Sequence, residues 1–239
     1  MREFTFTLRY EAGADPTMDV FADYPELVAH SLDGCVTRNS FWRVEQFFGP
    51  PAALDAVERL RLDESVPEPS ITETPVEADQ YHDVLKRERD ALVVYSFLDV
   101  VGGGESVHTL SGRYLPPGSL LETRRREDRH EWRILMRSDE KVGILYDALT
   151  ANLRPGLSFE MGHLRDAEGW DRTTPSGVSL PPSQRSALEA AVDDGYYRTP
   201  REITLDELAA KLDVPRSTLS YRLQRAEAKV VSAFLGESE

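Results

Sequence analysis

Two kinds of hydrophobic spacing divide the chain. In its N-terminal two thirds, apolar residues often alternate with polar ones, which is the two-residue period of a half-buried strand. The segment "FTFTLRY" (4–10) has this period, with Phe4, Phe6, Leu8 and Tyr10 on one face. It predicts a strand, and "SFWRVEQFF" (40–48) predicts another.

Two helices are predicted beside these strands. Asp15 and Pro16 are typical of a helix start, and this helix is expected to end near Leu27. After two prolines, "AALDAVERL" (52–60) has the helical spacing of apolar residues. Residues 62–79 are acidic and contain three prolines, so they predict a loop with at most one edge strand.

A similar order of segments then recurs. It contains an apolar run (91–100), a short helix (106–115), a hairpin around Asp128 and Arg129, a helix (139–153) and a last strand (156–164). The inward stripe of the 139–153 helix is predicted to be Val142, Leu145, Tyr146, Leu149 and Leu153. Two consecutive units of this kind suggest small antiparallel sheets with helices on one face, as in ferredoxin-like or ACT-like modules. The predicted fold class of this part is α+β.

A segment rich in Gly, Pro, Ser and Thr interrupts the pattern at residues 164–183. Such a composition is typical of a linker. We therefore predict an α+β domain over residues 1–165, a linker over 166–181 and a second domain over 182–239.

The second domain has the helical period throughout. Thr204 followed by Glu207 predicts a capping box, and "DVP" (213–215) ends that helix because a residue before proline avoids the α conformation. The next helix begins at Pro215 or Ser217. The predicted inward residues are Leu205, Leu208, Ala209 and Leu212 in the first helix and Leu219, Leu223, Ala226 and Val230 in the second. A preceding helix (183–197), with Leu188, Ala191 and Val192 apolar, completes an all-α trihelical core.

Two short helices joined by a tight turn form a helix-turn-helix, a DNA-binding motif. The outer face of the second helix is polar and basic. The predicted DNA-binding residues are Arg216, Ser217, Thr218, Ser220, Tyr221, Arg222, Gln224, Arg225 and Lys229. Arg216, Ser217, Ser220 and Tyr221 are expected to reach bases, and Arg222, Arg225 and Lys229 to meet phosphates. A helical hairpin used for packing or dimerisation is the alternative interpretation.

The formal net charge of −14 is unusual for a protein that binds DNA. The acidity lies mostly in residues 1–179, because residues 180–239 carry a net charge of only −2. The bases are 24 Arg and 4 Lys. Abundant carboxylates with scarce lysine favour a protein kept soluble in a cytoplasm of high salt, where charges are screened. A GC-rich genome is the alternative explanation of the arginine bias.

Other chemistry is weakly signalled. Cys35 is the only cysteine, which excludes an intrachain disulfide, and the five histidines show no helical metal-site spacing. "GGGES" (102–106) is interpreted as a hairpin loop, and Arg124, Arg125 and Arg126 as a salt-bridged strand face. We predict no catalytic residues, no metal site and no cofactor. Because no apolar run is long enough to cross a bilayer, we expect a soluble cytoplasmic protein.

Residues 180–231 as a set resemble the C-terminal helix-turn-helix of the bacterio-opsin activator family of haloarchaeal transcription regulators. The similarity rests on "QRSALEAAVDDGYY", "PREITLDELAAKLDV" and "STLSYRLQRAE". It implies a sigma-region-4-like unit without a wing, whose second helix lies in the major groove. Pro181 departs from the family, which usually has a Thr cap there.

The resemblance implies a sequence-specific transcription regulator that binds double-stranded DNA. We expect the N-terminal domain to sense a small-molecule or protein effector or to form a homodimer. Two other functions stay open at this point: a ligand-binding signalling module whose helix-turn-helix contacts protein, and an enzyme activity in the N-terminal domain.

Overall fold

The structure, a computed structural model, describes residues 1–63, 65–151, 153–167 and 180–235. The chain forms two compact units, Met1–Glu168 and Gly169–Glu239. Most of the predicted linker, residues 168–179, lies outside the described residues.

The N-terminal unit contains the same order of elements twice. The first half contains β1 (Arg2–Tyr10), α1 (Pro16–Asp23), β2 (Val28–Cys35), β3 (Ser40–Phe48), α2 (Pro51–Leu62) and β4 (Val76–Arg87). The second half contains β5 (Ala91–Gly103), α3 (Val107–Tyr114), β6 (Leu120–Arg126), β7 (Arg129–Met136), α4 (Val142–Ala151) and β8 (Leu157–Asp166). Each half therefore has the βαββαβ order of a ferredoxin-like module.

All eight strands join one antiparallel sheet in the order β4-β5-β3-β2-β6-β7-β1-β8. In a single βαββαβ unit the first strand lies between the third and the fourth. Here β5 lies between β3 and β4, and β1 lies between β7 and β8. The two halves have thus exchanged their first strands. The α+β prediction is confirmed, but the halves share one sheet instead of forming two separate small sheets.

The two halves meet where β2 pairs with β6. Ser31 lies opposite Thr123, and their buried hydroxyl groups are 2.7 Å apart. Outward from this pair, the strand order is β2-β3-β5-β4 on one side and β6-β7-β1-β8 on the other. Each strand on one side has its equivalent at the same place on the other side. Ser31 and Thr123 therefore mark an approximate twofold relation between the halves.

One apolar core joins the helices to a single face of the sheet. Alternate residues of β1, among them Phe4, Phe6 and Leu8, pack with Phe21 of α1 and Leu145 of α4. The inward stripe of α4 is largely as predicted, with Val142, Leu145 and Leu149 buried. Burial of alternate residues on a strand fixes its register, because a shift by one residue would turn the apolar side chains outward.

Several predicted boundaries were wrong. α1 ends at Asp23 instead of near Leu27, because Pro25 follows its C-cap. β2 was not predicted, and β4 begins inside the predicted loop and continues to Arg87 as an edge strand. "GGGES" closes β5 and leads into α3, so it is not a hairpin loop. A Cβ at Gly104 would lie 1.9 Å from the Thr74 carbonyl oxygen, so only glycine fits this close approach.

A cluster of buried ions lies on the helix side of the sheet, and we call it the Glu45 cluster. It consists of Arg43, Glu45, Arg61, Glu68 and Arg125, each less than a tenth exposed. Glu45 Oε1 accepts from Arg61 Nη2 at 2.8 Å and from Arg125 Nη1 at 2.6 Å. Glu68 accepts two hydrogen bonds from Arg43 at 2.8 and 2.9 Å, and Arg43 Nε lies 3.3 Å from Glu45 Oε2. Arg125 is thus a salt-bridged residue of a strand, as predicted, but its partner is the buried Glu45 and the pair lies inside the protein.

Burial and the guanidinium groups oppose each other at Glu45. Burial raises the pKa of the Glu45 carboxyl, but Arg43, Arg61 and Arg125 together outweigh it and leave this pKa well below its ordinary value. The three arginines therefore favour the ionised form of the Glu45 carboxyl.

All secondary-structure elements among the described residues of the C-terminal unit are helices. It contains α5 (Pro182–Asp193), α6 (Leu205–Lys211) and α7 (Arg216–Leu235). Between residues 180 and 235 the structure contains no strand, which agrees with a helix-turn-helix without a wing. Among all described residues, none of the helices is both long enough and apolar enough to span a membrane.

Replacing Glu45 by Gln is expected to lower the free energy of unfolding by about 3–5 kcal/mol, because buried arginines lose their shared counter-ion. Urea unfolding at pH 7 measures this loss. The exposed Glu26→Gln is the matched control and is expected to change stability by less than about 0.5 kcal/mol. Equal stability of the two variants would contradict a structural role for the cluster.

The stability of the protein is expected to fall as the pH drops below about 6.5. Burial, and next the charge of Arg125, hold the pKa of His130 well below the ordinary value of 6.5. The unfolded chain therefore takes up a proton near pH 6.5 that the folded chain does not, which costs up to about 1.4 kcal/mol per pH unit below that value. His130→Gln should flatten this slope in urea unfolding between pH 7.5 and 5. If this variant loses stability with falling pH as steeply as the wild type, groups other than His130 cause the loss.

Candidate nucleic-acid interface

The first helix of the motif begins at a capping box, as predicted. The Glu207 amide donates to Thr204 Oγ1 at 3.3 Å, and the Thr204 amide donates back to Glu207 Oε2 at 2.8 Å. This reciprocal pairing fixes the start of α6.

A short turn separates α6 from α7. Asp213 has a φ of 52°, a left-handed conformation that Asp tolerates better than most residues. The Val214 amide donates to the Ala209 carbonyl at 3.1 Å, which closes the end of α6. The Leu219 amide then donates to the Pro215 carbonyl at 3.0 Å, so α7 starts within three residues of the reversal.

Small and branched apolar residues hold the three helices together. The buried core of this unit contains Ala187 and Ala191 of α5, Leu208 and Ala209 of α6, and Leu219 and Leu223 of α7. Val230, which was predicted to point inward, is instead 38% exposed, and Val192, one of the apolar residues of the preceding helix, is 55% exposed. Alanines at the contacts allow close helix approach, and burial of Leu219 and Leu223 fixes which face of α7 points outward.

The predicted DNA-binding residues lie away from this core. Arg216, Ser217, Tyr221, Gln224 and Arg225 are exposed, and Thr218, Ser220, Arg222 and Lys229 are half-exposed. Tyr221 is 59% exposed and does not belong to the buried core of the unit. All nine residues therefore lie on one helix and are at least partly exposed, and none of them belongs to the buried core of the unit.

Charged neighbours organise this surface. Arg216 Nε lies 2.8 Å from Asp206 Oδ1 of α6, and the Arg225 guanidinium lies 5.9 Å from the centre of the Tyr221 ring. Within the described part of the chain, Arg222 and Arg225 have no carboxylate within 4 Å. Asp206 was missed by the sequence analysis, because only the helix crossing brings it to Arg216.

Acidic residues of the same unit are engaged elsewhere. Tyr197 donates to Glu227 Oε1 at 2.5 Å, and burial together with this hydrogen bond raises the pKa of Tyr197. Lys211 Nζ lies 2.6 Å from Asp194 Oδ1, which ties the end of α6 to the end of α5. The one acid of the α7 motif, Glu227, thus binds the loop after α5.

Such an arrangement suits DNA chemically. Guanidinium groups bind guanine edges or phosphates, hydroxyl and amide groups bind base edges, and an exposed aromatic ring can pack on a thymine methyl group or a sugar. Over the described residues, no group of three or more His, Cys, Asp or Glu side chains could hold a metal ion.

Pro181 precedes α5 without a side-chain cap. Its carbonyl instead accepts from the amides of Gln184 and Arg185, both at 2.9 Å. The departure from the family pattern is therefore local to the start of α5 and does not alter the outward face of α7.

Curated relatives match part of the chain. The chain is 47% identical over 55 residues to a dimethyl sulfoxide reductase transcriptional activator of Haloferax volcanii and 40% identical over 60 residues to that of Halobacterium salinarum. It is 42% identical over 52 residues to the transcriptional regulator NarO of Haloferax volcanii. These matches cover 22–25% of this chain and 25–27% of the relatives, so the chain spans about a quarter of their length.

Two family models match the chain. An HTH DNA binding domain matches residues 180–232, which include α5, α6 and most of α7. The N-terminal domain model HVO_2928_N matches residues 3–170, which are more than half of the chain and nearly all of the eight-stranded unit. The chain therefore belongs to the HVO_2928_N family and combines that N-terminal domain with an HTH DNA binding domain.

Proposed function

We propose that this protein is a sequence-specific DNA-binding transcription regulator that places α7 in the major groove. The observation that carries the proposal is the polar and cationic outer face of α7, held outward by burial of Leu219 and Leu223. The relatives that match part of this chain are named as transcriptional activators or regulators, and an HTH DNA binding domain matches the residues that carry this face.

The residues at the front of α7 are proposed to read bases. Arg216, Ser217, Ser220 and Tyr221 lie within the first two turns, and the start of a recognition helix is the part that contacts base edges. Asp206 holds the Arg216 guanidinium at 2.8 Å and so limits its orientations before DNA binds. Arg222, Arg225 and Lys229 follow and are proposed to meet phosphates.

The direct test is selection of genomic fragments by the purified full chain, followed by sequencing. Enrichment of a shared sequence supports the proposal. Binding of all fragments alike, or of none, would contradict it and would favour a protein-contacting role for the motif.

Arg216→Ala and Tyr221→Ala are each expected to reduce the preference for specific over random DNA by about 1–3 kcal/mol, or roughly 5- to 150-fold. Fluorescence anisotropy with both DNAs measures this difference. Arg38→Ala removes one exposed cation from the N-terminal unit and serves as the charge-matched control, with no expected change in preference. An equal loss of affinity for both DNAs would make the two residues phosphate contacts only.

Binding to the selected site is expected to persist in molar potassium chloride with a shallow salt dependence. Six phosphate contacts alone would lose about a thousandfold in affinity between 50 and 200 mM salt. A chain with a net charge of −14 gains little affinity from general attraction between surface cations and phosphates. Contacts in the grooves must therefore supply most of its affinity for DNA. A steep monotonic loss of affinity, in a protein that circular dichroism shows to stay folded, would contradict this expectation.

The N-terminal unit is proposed to make the protein a homodimer. One short helix-turn-helix covers little DNA, and two-fold symmetry doubles the contact. An aromatic strip on the sheet face opposite the helices supports a second copy as the occupant. Tyr81 of β4 lies opposite Phe97 of β5, and Phe97 lies opposite Trp42 of β3. Tyr81 is 58% exposed.

Tyr81→Lys is expected to raise the dimer dissociation constant at least about tenfold, because a charge enters an apolar contact. Sedimentation velocity of the full chain in molar salt measures it. Val36→Lys, a similarly exposed position in the turn after β2, is the matched control. A wild-type monomer at micromolar concentration would contradict the dimer itself.

A further inference from the structure

Asp206 and Arg216 form an ion pair across the turn of the helix-turn-helix. Asp206 is the second residue of α6, and Arg216 is the first residue of α7. Asp206 Oδ1 lies 2.8 Å from Arg216 Nε, and both side chains are more than half exposed. An ion pair that is this exposed contributes little to stability. Its main effect is therefore on the orientation of the Arg216 guanidinium at the surface proposed to face DNA.

The start of α6 does not depend on this aspartate. The capping box consists of Thr204 and Glu207, and these two residues supply both of its hydrogen bonds. An acidic side chain in the first turn of a helix adds a small favourable interaction with the helix dipole, and Glu207 provides one as well. Removal of the Asp206 carboxylate therefore leaves the helix and its cap in place.

The contact with Asp206 occupies one side of the guanidinium group. The atom of Arg216 that lies nearest to the carboxylate is Nε. The terminal nitrogens Nη1 and Nη2 donate to no acceptor among the described residues. A guanidinium presents its N–H donors in a planar, rigid fork. The outer edge of the fork, formed by the two terminal nitrogens, is therefore available to a ligand with two adjacent acceptors.

The carboxylate also determines which kind of DNA group suits Arg216. A phosphate on this guanidinium would lie close to the Asp206 carboxylate, and two negative charges at a short distance repel each other. A base edge carries no net charge and meets no such repulsion. Arg222 and Arg225, in contrast, have no carboxylate within 4 Å in the described part of the chain. The arrangement therefore favours a base at Arg216 and is compatible with phosphates at the other two arginines.

Guanine is the base that matches the available edge of the guanidinium. In the major groove it presents two neighbouring acceptors, N7 and O6. Adenine presents one acceptor beside a donor, thymine one acceptor beside its methyl group, and cytosine a donor. Since a guanidinium donates and cannot accept, only guanine satisfies both terminal nitrogens of Arg216.

We propose that Asp206 is a positioning residue that commits Arg216 to a guanine in the bound DNA. The carboxylate holds the guanidinium so that its terminal nitrogens donate to guanine N7 and O6, and it disfavours a phosphate at the same place. Restricting the side chain before binding also lowers the entropic cost of the contact. This inference rests on the proposed function and adds a specific base pair to it.

The base read by Arg216 can be identified directly. Selection from a random DNA library by the full chain, followed by sequencing, gives the base preference at each position, and Arg216→Ala marks the position that depends on Arg216. We expect guanine there, preferred roughly 5- to 150-fold over the other bases. Arg216→Lys keeps the charge but loses the planar fork, so this preference should also fall. Another base at this position, or no position that depends on Arg216, would overturn the proposal.

Asp206→Ala is expected to lower the guanine preference at that position at least about threefold and to leave the other positions unchanged. The affinity for random DNA should stay the same or rise, because the variant lacks one negative charge near the phosphates. Glu189→Ala removes an exposed carboxylate of α5 and is the charge-matched control, with the preference of the wild type. Retained preference in Asp206→Ala, or an equal loss in Glu189→Ala, would overturn the proposal.

A double-mutant cycle tests whether Asp206 acts through Arg216. In the Arg216→Ala background, Asp206→Ala is expected to cause no further change at this position, because no guanidinium is left to position. A further loss would mean that Asp206 acts on DNA or on the fold by itself, which would overturn the proposal. The thermal midpoints of the variants are expected to lie within about 2 °C of the wild type, as for other exposed side chains.

The selection also separates this inference from the proposed function. A shared sequence in which no guanine depends on both Arg216 and Asp206 would overturn the inference and leave sequence-specific binding intact. If the wild type selects no shared sequence, both are contradicted.

Discussion

Glu45 is the point at which the two halves of the N-terminal domain are tied together chemically. Its carboxylate meets Arg43 and Arg61 of the first half and Arg125 of the second half inside the protein. A buried ion pair is weak support for stability in comparison with apolar packing, but loss of one member leaves the others uncompensated. The cluster therefore favours the one arrangement in which both halves present their arginines to the same carboxylate.

The exchange of first strands also makes the backbone of each half depend on the other half. β1 pairs with β7 and β8, whose residues lie more than 100 positions later in the chain. Neither half can complete its own sheet, because its third and fourth strands are separated by a strand of the other half. Such long-range pairing slows folding and makes the domain one cooperative unit.

The sequence predicted the elements whose signals are local. β1 was evident because its inward residues, such as Phe6 and Leu8, are apolar, and α6 because Thr204 and Glu207 form a capping box within one turn. β2 was missed because two of its inward positions are Ser31 and Asp33, which serve the junction between the halves instead of the apolar core. The salt bridge of Arg125 was predicted, but its buried partner Glu45 lies 80 residues earlier in the chain and could not be read from the local sequence. At the candidate interface, the outward face of α7 followed from its helical period, whereas the contact of Arg216 with Asp206 depends on the angle between two helices, which no spacing encodes.

Local arrangement, and not net charge, decides how the acidic chain can face DNA. The C-terminal segment from residue 180 carries a net charge of −2, but several of its acidic side chains already have partners within the three-helix unit. Asp194 binds Lys211, Glu227 binds Tyr197, and Glu207 caps α6, so these carboxylates serve the packing of the three helices. On the outer face of α7, Arg222 and Arg225 have no such partner among the described residues, and a phosphate or a guanine edge can fill that role. Because screening shortens the reach of distant charges to about 3–10 Å between 1 M and 0.1 M salt, a phosphate at this surface responds to these nearby cations more than to the acids of the remaining chain.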